Sequence, residues 1–217
     1  MEATVGRVWE GQDKLVQIFL RQRELMETYE GIEALNDLLL TSEVPVNLHD
    51  PKGQARLRSF AWYFVEEMAE AYDSAMVRGW SDPKTREEVA DAMHFLVEWL
   101  ILGGIWPSRI QDFLPPQMRD NDILDSLFRV GALSVPSIEE NFTMAIARVG
   151  LACHALKNKP WKKSKTPTDI EDFQRKAVDA LKSFIAFCTM IDMTAEELFN
   201  LYFHKSEINK ERQAGDY

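Results

Sequence analysis

The sequence predicts an all-α fold, a packed array of helices, and three observations support that class. Apolar residues recur at helical spacing along most of the 217 residues, and no run of alternating apolar and polar residues indicates a strand. Segments rich in proline and glycine, such as RGWSDP at 78–83, divide the chain into pieces of helical length. Hydrophobic residues make up 46% of the chain, enough for one good-sized core. We therefore expect a single domain over 1–217.

The individual helices are predicted between such breaks. In chain order they lie at 12–30, 31–40, 56–78, 84–104, 120–129, 138–158, 169–191 and 194–213. The other breaks are HDPKG at 49–53, GGIWPS at 103–108, LPPQ at 114–117 and KTPTD at 165–169. Thr194 and Glu197 have the spacing of a capping box, which predicts the start of the last helix.

Charge and cysteine content exclude several classes of protein. A formal net charge of −10 argues against a main role in binding nucleic acid. Cys153 and Cys188 lie in apolar helical patterns without metal or disulfide spacing, which favours a reducing cytoplasm. MEATVGRVWEGQ at the N-terminus lacks the apolar core of a signal peptide. The most apolar window, 89–106, contains three polar or charged side chains, so we expect no membrane span.

A weak internal repeat relates residues 55–105 to residues 141–191. Each copy consists of a helix, a loop that contains tryptophan, and a second helix. Glu67 and Glu70 of the first copy correspond to Gly150 and Cys153 of the second. We therefore expect a duplicated helical hairpin whose second copy is degenerate and has lost the acids.

Two pairs of acids in the first copy are candidate metal ligands. Glu67 and Glu70 share one helix face, as do Glu88 and Asp91, and His94 continues the second stripe. No lysine or arginine occurs at 59–77 or 89–108, whereas solvated helix faces usually mix signs.

Convergence of these carboxylates would make them repel one another unless a cation were bound. Their oxygen ligands suit Mg²⁺ or Mn²⁺. Two solvated helix faces are the alternative interpretation. Glu66 remains an alternative to Glu67 as a ligand, and His94 is predicted to hydrogen-bond or contact a base rather than bind metal.

The last predicted helix presents two cations and an amide on one face. Lys205, Asn209 and Arg212 are spaced i, i+4 and i+7, a reasonable cradle for phosphate oxygens. The alternative is a solvated terminal helix in which Glu207 and Glu211 balance the charges. The basic segment LKNKPWKKSK at 156–165 is interpreted as a surface loop, with contact to a triphosphate as the alternative.

These motifs resemble those of known enzymes. The spacing of the acids resembles the metal site of the MazG-like all-α nucleoside triphosphate pyrophosphohydrolases: E-x-x-E is followed after 17 residues by E-x-x-D. EEVADAMHF resembles the E-L-V-D-x-x-H-F signature of the dimeric dUTPase branch. The C-terminal segment EELFNLYFHKSEINKERQAGDY resembles that family's closing motif. The matching residues are Tyr202, Lys205, Asn209, Arg212, Gln213 and Tyr217.

Two positions depart from the family pattern. Ser206 replaces an asparagine of the closing motif. QRELM at 22–26 resembles the family's Q-x-x-L-N segment, but Met26 stands where the family prefers asparagine. Only Gln22 of that segment carries over, as a residue that helps to recognise the base.

The resemblance implies a fold, a reaction and a set of roles. It implies a helical array of the MazG-like and dimeric dUTPase type, and Mg²⁺-dependent hydrolysis of dUTP to dUMP and pyrophosphate by metal-activated water. Glu67, Glu70, Glu88 and Asp91 would hold the metal, and Glu67 or Glu70 would orient or deprotonate the water. Lys205, Asn209 and Arg212 of the segment 194–217 would bind phosphate or sugar, with Gln22 and His94 near the base.

The resemblance also implies a homodimer that acts on a small nucleotide. The tail is most similar to versions encoded by tailed bacteriophages, and such an enzyme would act in the host cytoplasm.

Two other functions stay open. One is the same chemistry on dCTP or a purine nucleotide, because Met26 and Ser206 depart from the pattern. The other is a non-enzymatic helical module whose acidic face binds a basic partner.

Overall fold

Helices account for all the regular secondary structure in the residues that the computed structural model describes, which are 13–33, 44–133, 137–158 and 166–214. The α-helices are α1 Lys14–Glu33, α2 Pro51–Arg78, α3 Pro83–Leu102, α4 Pro107–Asp112, α5 Ile123–Gly131, α6 Ile138–Ala155, α7 Ile170–Met190 and α8 Ala195–Ala214. A 3-10 turn lies at Pro116–Met118. Within these ranges there is no strand, and the predicted all-α class is confirmed.

The predicted breaks contain the residues that start the helices. Asp50 accepts hydrogen bonds from the backbone N–H groups of Lys52 and Gly53, and Pro51 occupies the first turn of α2. Asp82 and Pro83 begin α3 in the same way. Aspartate at the cap satisfies an N–H that has no partner in the helix, and proline lacks an N–H that would need one. The chain therefore turns and re-enters a helix within a few residues.

Several predicted boundaries are wrong. α1 continues to Glu33, so no break occurs at residue 30, because an isolated glycine such as Gly31 weakens a helix without ending it. The rest of the predicted helix at 31–40 lies outside the described residues. α2 starts at Pro51 rather than at 56, and α4 was not predicted. Proline in the first turn starts α4, whereas the sequence pattern alone indicated only an interruption there.

The predicted capping box of the last helix is half formed. The backbone N–H of Glu197 donates to Oγ1 of Thr194 at 3.1 Å. The Glu197 carboxylate does not return to the Thr194 backbone but accepts from the guanidinium of Arg86 on α3. Thr194 therefore caps α8, and Glu197 ties the start of α8 to α3.

α3 is the central helix and packs against α1, α2, α7 and α8. From Val89 to Leu102 every α3 residue is buried except the half-buried Asp91 and Phe95. α2 packs against α3, and α6 against α7, and these are the two helix pairs that the predicted internal repeat would relate. The core is therefore built around α3, and the polar residues of α3 lie among its neighbouring helices.

Two further findings concern the remaining sequence predictions. No helix of the described residues has both the length and the apolar character needed to cross a membrane. Cys188 is buried and Cys153 half-buried, and neither forms a disulfide.

Candidate active site

Three of the four predicted metal-binding acids come together between α2 and α3. Glu67 and Glu70 lie one turn apart on α2, and Glu88 lies in the second turn of α3. One carboxylate oxygen from each lies within 4.8 Å of the others. Glu67 and Glu88 are half-buried and Glu70 is exposed. The packing of the two helices therefore makes an all-oxygen cluster, which we call the acidic triad.

The electrostatics of the acidic triad fit a bound cation. Burial, together with the negative charges of Asp91, Glu70 and Glu88, raises the pKa of Glu67 to about 7. Burial and Asp91 also raise the pKa of Glu88. The ionised forms of Glu67 and Glu88 are therefore destabilised by burial and by neighbouring negative charges. A divalent ion bound by these oxygens would remove that repulsion, and oxygen ligands are those that Mg²⁺ prefers.

Asp91, the fourth predicted ligand, contacts a cation of the protein. Nζ of Lys205 lies 2.7 Å from Oδ2 of Asp91, with side-chain exposures of 12% and 17%. Burial raises the pKa of Asp91, while the hydrogen bond and charge of Lys205 oppose that rise. Asp91 is close enough to Glu67 and Glu88 for its charge to raise the pKa of both. Its carboxylate therefore lies next to the acidic triad, and the Lys205 ammonium adjoins the same site.

Glu66, the alternative ligand, has a different environment. It is exposed, and its carboxylate accepts a hydrogen bond from Nε1 of Trp62 at 2.8 Å. It is not a member of the acidic triad. The geometry therefore favours Glu67 over Glu66 as the candidate ligand.

A cavity of about 330 Å³ adjoins these acids and is lined by residues of α1, α2, α3 and α8. Glu67 and Asp91 line it together with Asn209 and Arg212. From Asp91 its lining continues along α3 to Glu98, two helical turns or about 10 Å away. The cavity thus places acids, an amide and a guanidinium near the acidic triad and leaves room for an organic group beyond them.

Aromatic rings form one wall of the cavity. Phe60 and Tyr63 of α2 and Phe95 of α3 all line it. Ring centroids lie 5.5 Å apart for Phe60 and Tyr63 and 5.4 Å apart for Tyr63 and Phe95. Tyr63 remains 37% exposed. A planar heterocycle is the kind of group that such a wall accepts by stacking.

Beyond the aromatic wall the cavity meets a buried polar network. Oε1 of Gln22 accepts the phenolic hydrogen of Tyr202 at 2.6 Å and lies 3.1 Å from Nδ1 of His94. Nε2 of Gln22 donates to Oε2 of Glu98 at 2.8 Å. Nε2 of His94 lies 3.2 Å from the Tyr202 carbonyl, and the two rings stack at 3.9 Å. The network joins α1, α3 and α8.

The charge state of His94 follows from its burial. Burial lowers the pKa of its imidazole to about 3, so the ring is neutral near pH 7. A neutral imidazole carries one N–H and therefore donates to only one of its two neighbouring acceptors at a time. His94 is not a member of the acidic triad.

The predicted substrate-binding residues are all near this cavity. Gln22, His94, Asn209 and Arg212 line it, and Lys205 is held at Asp91. Gln213 and Tyr217 of the resembling tail are not among the side chains that the structure describes, nor is most of the basic segment 156–165. In the second copy of the repeat, Gly150 is exposed and Cys153 is half-buried.

The two departures from the family pattern have structural roles. Ser206 is fully buried and accepts a hydrogen bond from Nε of Arg21. Met26 is 3% exposed and belongs to the hydrophobic core. Neither side chain lines the cavity.

Sequence reasoning did not select Glu98, the aromatic wall or Tyr202 as parts of a site. Glu98 was visible as a continuation of the stripe of Asp91 and His94, since it follows His94 by four residues. Phe60, Tyr63 and Phe95 looked like core residues, because aromatic residues at helical spacing are usually buried. Only the packing of α2 on α3 places their rings at a cavity.

In the residues that the structure describes, fold and site together define a helical protein with a cluster of carboxylates beside a cavity. The sequence profile of a protein family described as dUTPase matches residues 53–217. The chain belongs to that dUTPase family. No curated protein and no solved structure matches the chain. α1, which brings Gln22 to the cavity, precedes the matched residues.

Proposed function

We propose that the protein hydrolyses dUTP to dUMP and pyrophosphate in a Mg²⁺-dependent reaction. Membership of the dUTPase family supports the substrate class. The observation that carries the proposal is the acidic triad of Glu67, Glu70 and Glu88 beside a cavity that Arg212 and Asn209 also line. Acids for a divalent ion and a cation for phosphate thus meet at one place.

Glu67, Glu70, Glu88 and Asp91 would hold Mg²⁺, or Mn²⁺ in its place. When bound, such ions neutralise phosphate charge and lower the pKa of a coordinated water. Glu67 has a pKa of about 7 and would accept the proton of the attacking water at its carboxylate. Glu70, more exposed, is the alternative base. Water adds to phosphorus, and the bond between the α- and β-phosphoryl groups breaks.

The residues of α8 would bind the phosphate groups. Lys205 and Arg212 would offset the negative charge that develops on phosphate oxygens as the bond breaks. Asn209 lies between them in sequence and would donate its side-chain amide to a phosphate or to the sugar. Arg212 is exposed and lines the cavity, so it is accessible to an entering triphosphate.

The base would lie beyond the acids, against the aromatic wall. Phe60, Tyr63 and Phe95 would pack on its face, and Gln22 and His94 would meet its edge. Gln22 is held in place by hydrogen bonds from Tyr202 and to Glu98. This arrangement leaves the reacting phosphates next to the acidic triad.

A different base is the second candidate substrate. Met26 contributes no polar group to the cavity, whereas Glu98 contributes a carboxylate. The polar groups at the base end therefore depart from the pattern that the family resemblance implies, which keeps dCTP or a purine nucleotide as the alternative. A non-enzymatic module that binds a basic partner is the remaining alternative.

A homodimer in the cytoplasm is part of the proposal. The resemblance implies it, and large apolar side chains on α2 support it, since Trp62 is 60% exposed and Met76 is 59% exposed. Light scattering on the purified protein tests this point, and a mass of 25.0 kDa at every concentration would contradict it.

Pyrophosphate release from each deoxynucleoside triphosphate, with Mg²⁺ and with EDTA, tests the reaction. We expect turnover of dUTP that requires Mg²⁺. Glu88→Ala should lower the rate at least ~100-fold, on the order of 3 kcal/mol of transition-state stabilisation. Glu66→Ala, which removes a carboxylate of α2 outside the acidic triad, is the matched control and should remain active. The absence of turnover for every nucleotide would overturn the enzymatic proposal.

A further inference from the structure

Arg21 of α1 is a buried arginine that the proposed reaction does not use. It is 6% exposed, and each of its guanidinium nitrogens has a partner. Nε donates to Oγ of Ser206, and Nη2 forms an ion pair with the carboxylate of Glu207. Nη1 donates to Oε2 of Glu24 at 3.1 Å. Because Ser206 and Glu207 belong to α8, one side chain of α1 holds two consecutive residues of α8.

These contacts lie at the last buried residue of the described part of α8. Ser206 is fully buried, whereas every α8 side chain from 207 to 212 is half-buried or exposed. Among the described side chains of α8, that of Glu207 is the last in an ion pair with another helix. Asn209 and Arg212, which line the cavity, lie about 5 and 9 Å beyond Ser206 along the helix axis. Arg21 therefore holds α8 just before the part that carries these two phosphate-binding residues.

The shape of the guanidinium group makes the contact specific for the orientation of α8. Nε and Nη2 form one edge of the planar group, and their N–H bonds point in nearly the same direction. Since their acceptors are on neighbouring residues, the two contacts restrict the rotation of α8 about its axis as well as its distance from α1. Rotation matters because one residue corresponds to about 100° around a helix, and a single face of α8 carries Lys205, Asn209 and Arg212.

A second polar contact at this level of α8 is the ion pair of Lys205 with Asp91. In the proposed function Lys205 also binds phosphate, so its ammonium group is shared between Asp91 and the substrate. Arg21 has no such second role, because it neither lines the cavity nor belongs to the acidic triad. Its contacts with α8 therefore do not compete with the nucleotide.

We propose that Arg21 is a positioning residue, which fixes the cationic face of α8 for phosphate binding through Ser206 and Glu207. This inference rests on the proposed function and adds to it a residue outside the cavity. Electrostatic stabilisation of phosphate oxygens depends on donors that are in place before the reaction. Loss of the Arg21 contacts should therefore weaken binding of the phosphates more than binding of the rest of the nucleotide.

The experiment compares the affinities for dUMP and for a dUTP analogue with nitrogen in place of the oxygen between the α- and β-phosphoryl groups. Calorimetry with Mg²⁺ measures both dissociation constants in the wild type and in Arg21→Met, which keeps a long apolar side chain and removes the donors. We expect the preference for the analogue over dUMP to fall about tenfold, the scale of one charge-assisted hydrogen bond. Arg23→Met is the matched control on α1 and should keep the preference, because Arg23 pairs with Glu27 of the same helix.

A second pair of variants tests the route through Ser206. Ser206→Ala removes one acceptor without changing the arginine, and it should lower the same preference by a smaller factor. The double variant Arg21→Met with Ser206→Ala should lose no more than Arg21→Met alone, and fully additive losses would overturn the route. If Arg21→Met does not fold, Ser206→Ala and Glu207→Gln decide, and an unchanged preference in both would overturn the inference.

The outcomes separate this inference from the proposed function. An unchanged preference in Arg21→Met with a lower melting temperature would mean that Arg21 supports the fold alone, and would overturn the inference while wild-type turnover of dUTP upheld the reaction. A wild type that binds the analogue but does not hydrolyse dUTP, and whose preference falls in Arg21→Met, would overturn the reaction and support the role of Arg21. A wild type that binds neither nucleotide would overturn both.

Discussion

Nζ of Lys205 lies 2.7 Å from Oδ2 of Asp91, and this contact joins α8 to α3 at the wall of the cavity. Both side chains are largely buried, at 12% and 17% exposure. Burial disfavours the charge of Asp91, and Lys205 is the main group that compensates it. Lys205 therefore supports the charge of Asp91, and the pair links α8 to α3 beside the cavity.

Removal of the Lys205 charge should destabilise the protein through Asp91. Lys205→Met is expected to lower the free energy of unfolding by about 1–3 kcal/mol, between the values for exposed and buried ion pairs. Asp91→Asn in the same chain should recover part of that loss. Urea denaturation of the wild type, both single variants and the double variant measures the coupling. Strictly additive changes would mean that the two groups do not stabilise each other.

Magnesium should stabilise the folded protein in the absence of nucleotide. Ion binding to the native state alone raises the melting temperature with ion concentration. We expect this rise in the wild type and its loss in Glu70→Gln and Glu88→Gln, which each remove one carboxylate of the acidic triad. Glu66→Gln should keep the rise, because Glu66 bonds to Trp62 instead. An equal rise in all four proteins would show that Mg²⁺ acts elsewhere.

Stability without metal should decrease as pH rises through the range in which Glu67 titrates. The pKa of Glu67 is about 7 in the folded chain and 4.5 as its ordinary value. Between these values the folded state binds more protons than the unfolded state, so the contribution of Glu67 to the free energy of unfolding falls as pH rises.

The Glu67→Gln variant tests this dependence in EDTA. It should be more stable than the wild type at pH 8, and that advantage should shrink at pH 4.5, where the wild-type carboxyl is protonated in the folded state and half protonated in the unfolded state. Chemical denaturation at the two pH values gives the comparison. An advantage of the same size at both pH values would rule out titration of Glu67 as the cause.

Two helical glycines should respond in opposite ways to alanine. A Cβ at Gly53 would lie 2.6 Å from the backbone oxygen of Asn47, so Gly53→Ala must displace the chain before α2. A Cβ at Gly150 would have no atom within 4 Å. We expect Gly53→Ala to lower the melting temperature and Gly150→Ala to add roughly 0.5–1 kcal/mol of stability. Thermal melts of both variants check this, and destabilisation by Gly150→Ala would contradict the exposed position of that residue.

Most of the helices could be predicted from the sequence because their signals are local. Apolar periodicity located α2, α3, α6, α7 and α8, although the start of α2 was predicted at 56 rather than at Pro51. The predicted helix boundaries were wrong where one residue type is compatible with both the end and the start, or the interior, of a helix. Pro107 ends one pattern and also begins α4, and Gly31 in a helical pattern is not a stop.

The acidic triad could be predicted in large part for the same reason. Glu67 and Glu70 share a face through spacing alone, and a resemblance in spacing joined them to Glu88. The contacts of Gln22 with Glu98 and Tyr202 could not be predicted, because they join residues that are far apart in the chain. Gln22 and Glu98 are 76 residues apart, and Gln22 and Tyr202 are 180 apart.

The sequence by itself determined the helical class, the faces that carry acids and the face of α8 that carries cations, since helix geometry fixes which neighbours share a side. The tertiary structure decided which of those faces meet. It placed Lys205 on Asp91, left Glu66 outside the triad, and brought Gln22, His94 and Glu98 into one buried network. Those choices depend on how α1, α3 and α8 pack, and packing is set by the shape and burial of whole helices rather than by spacing along one of them.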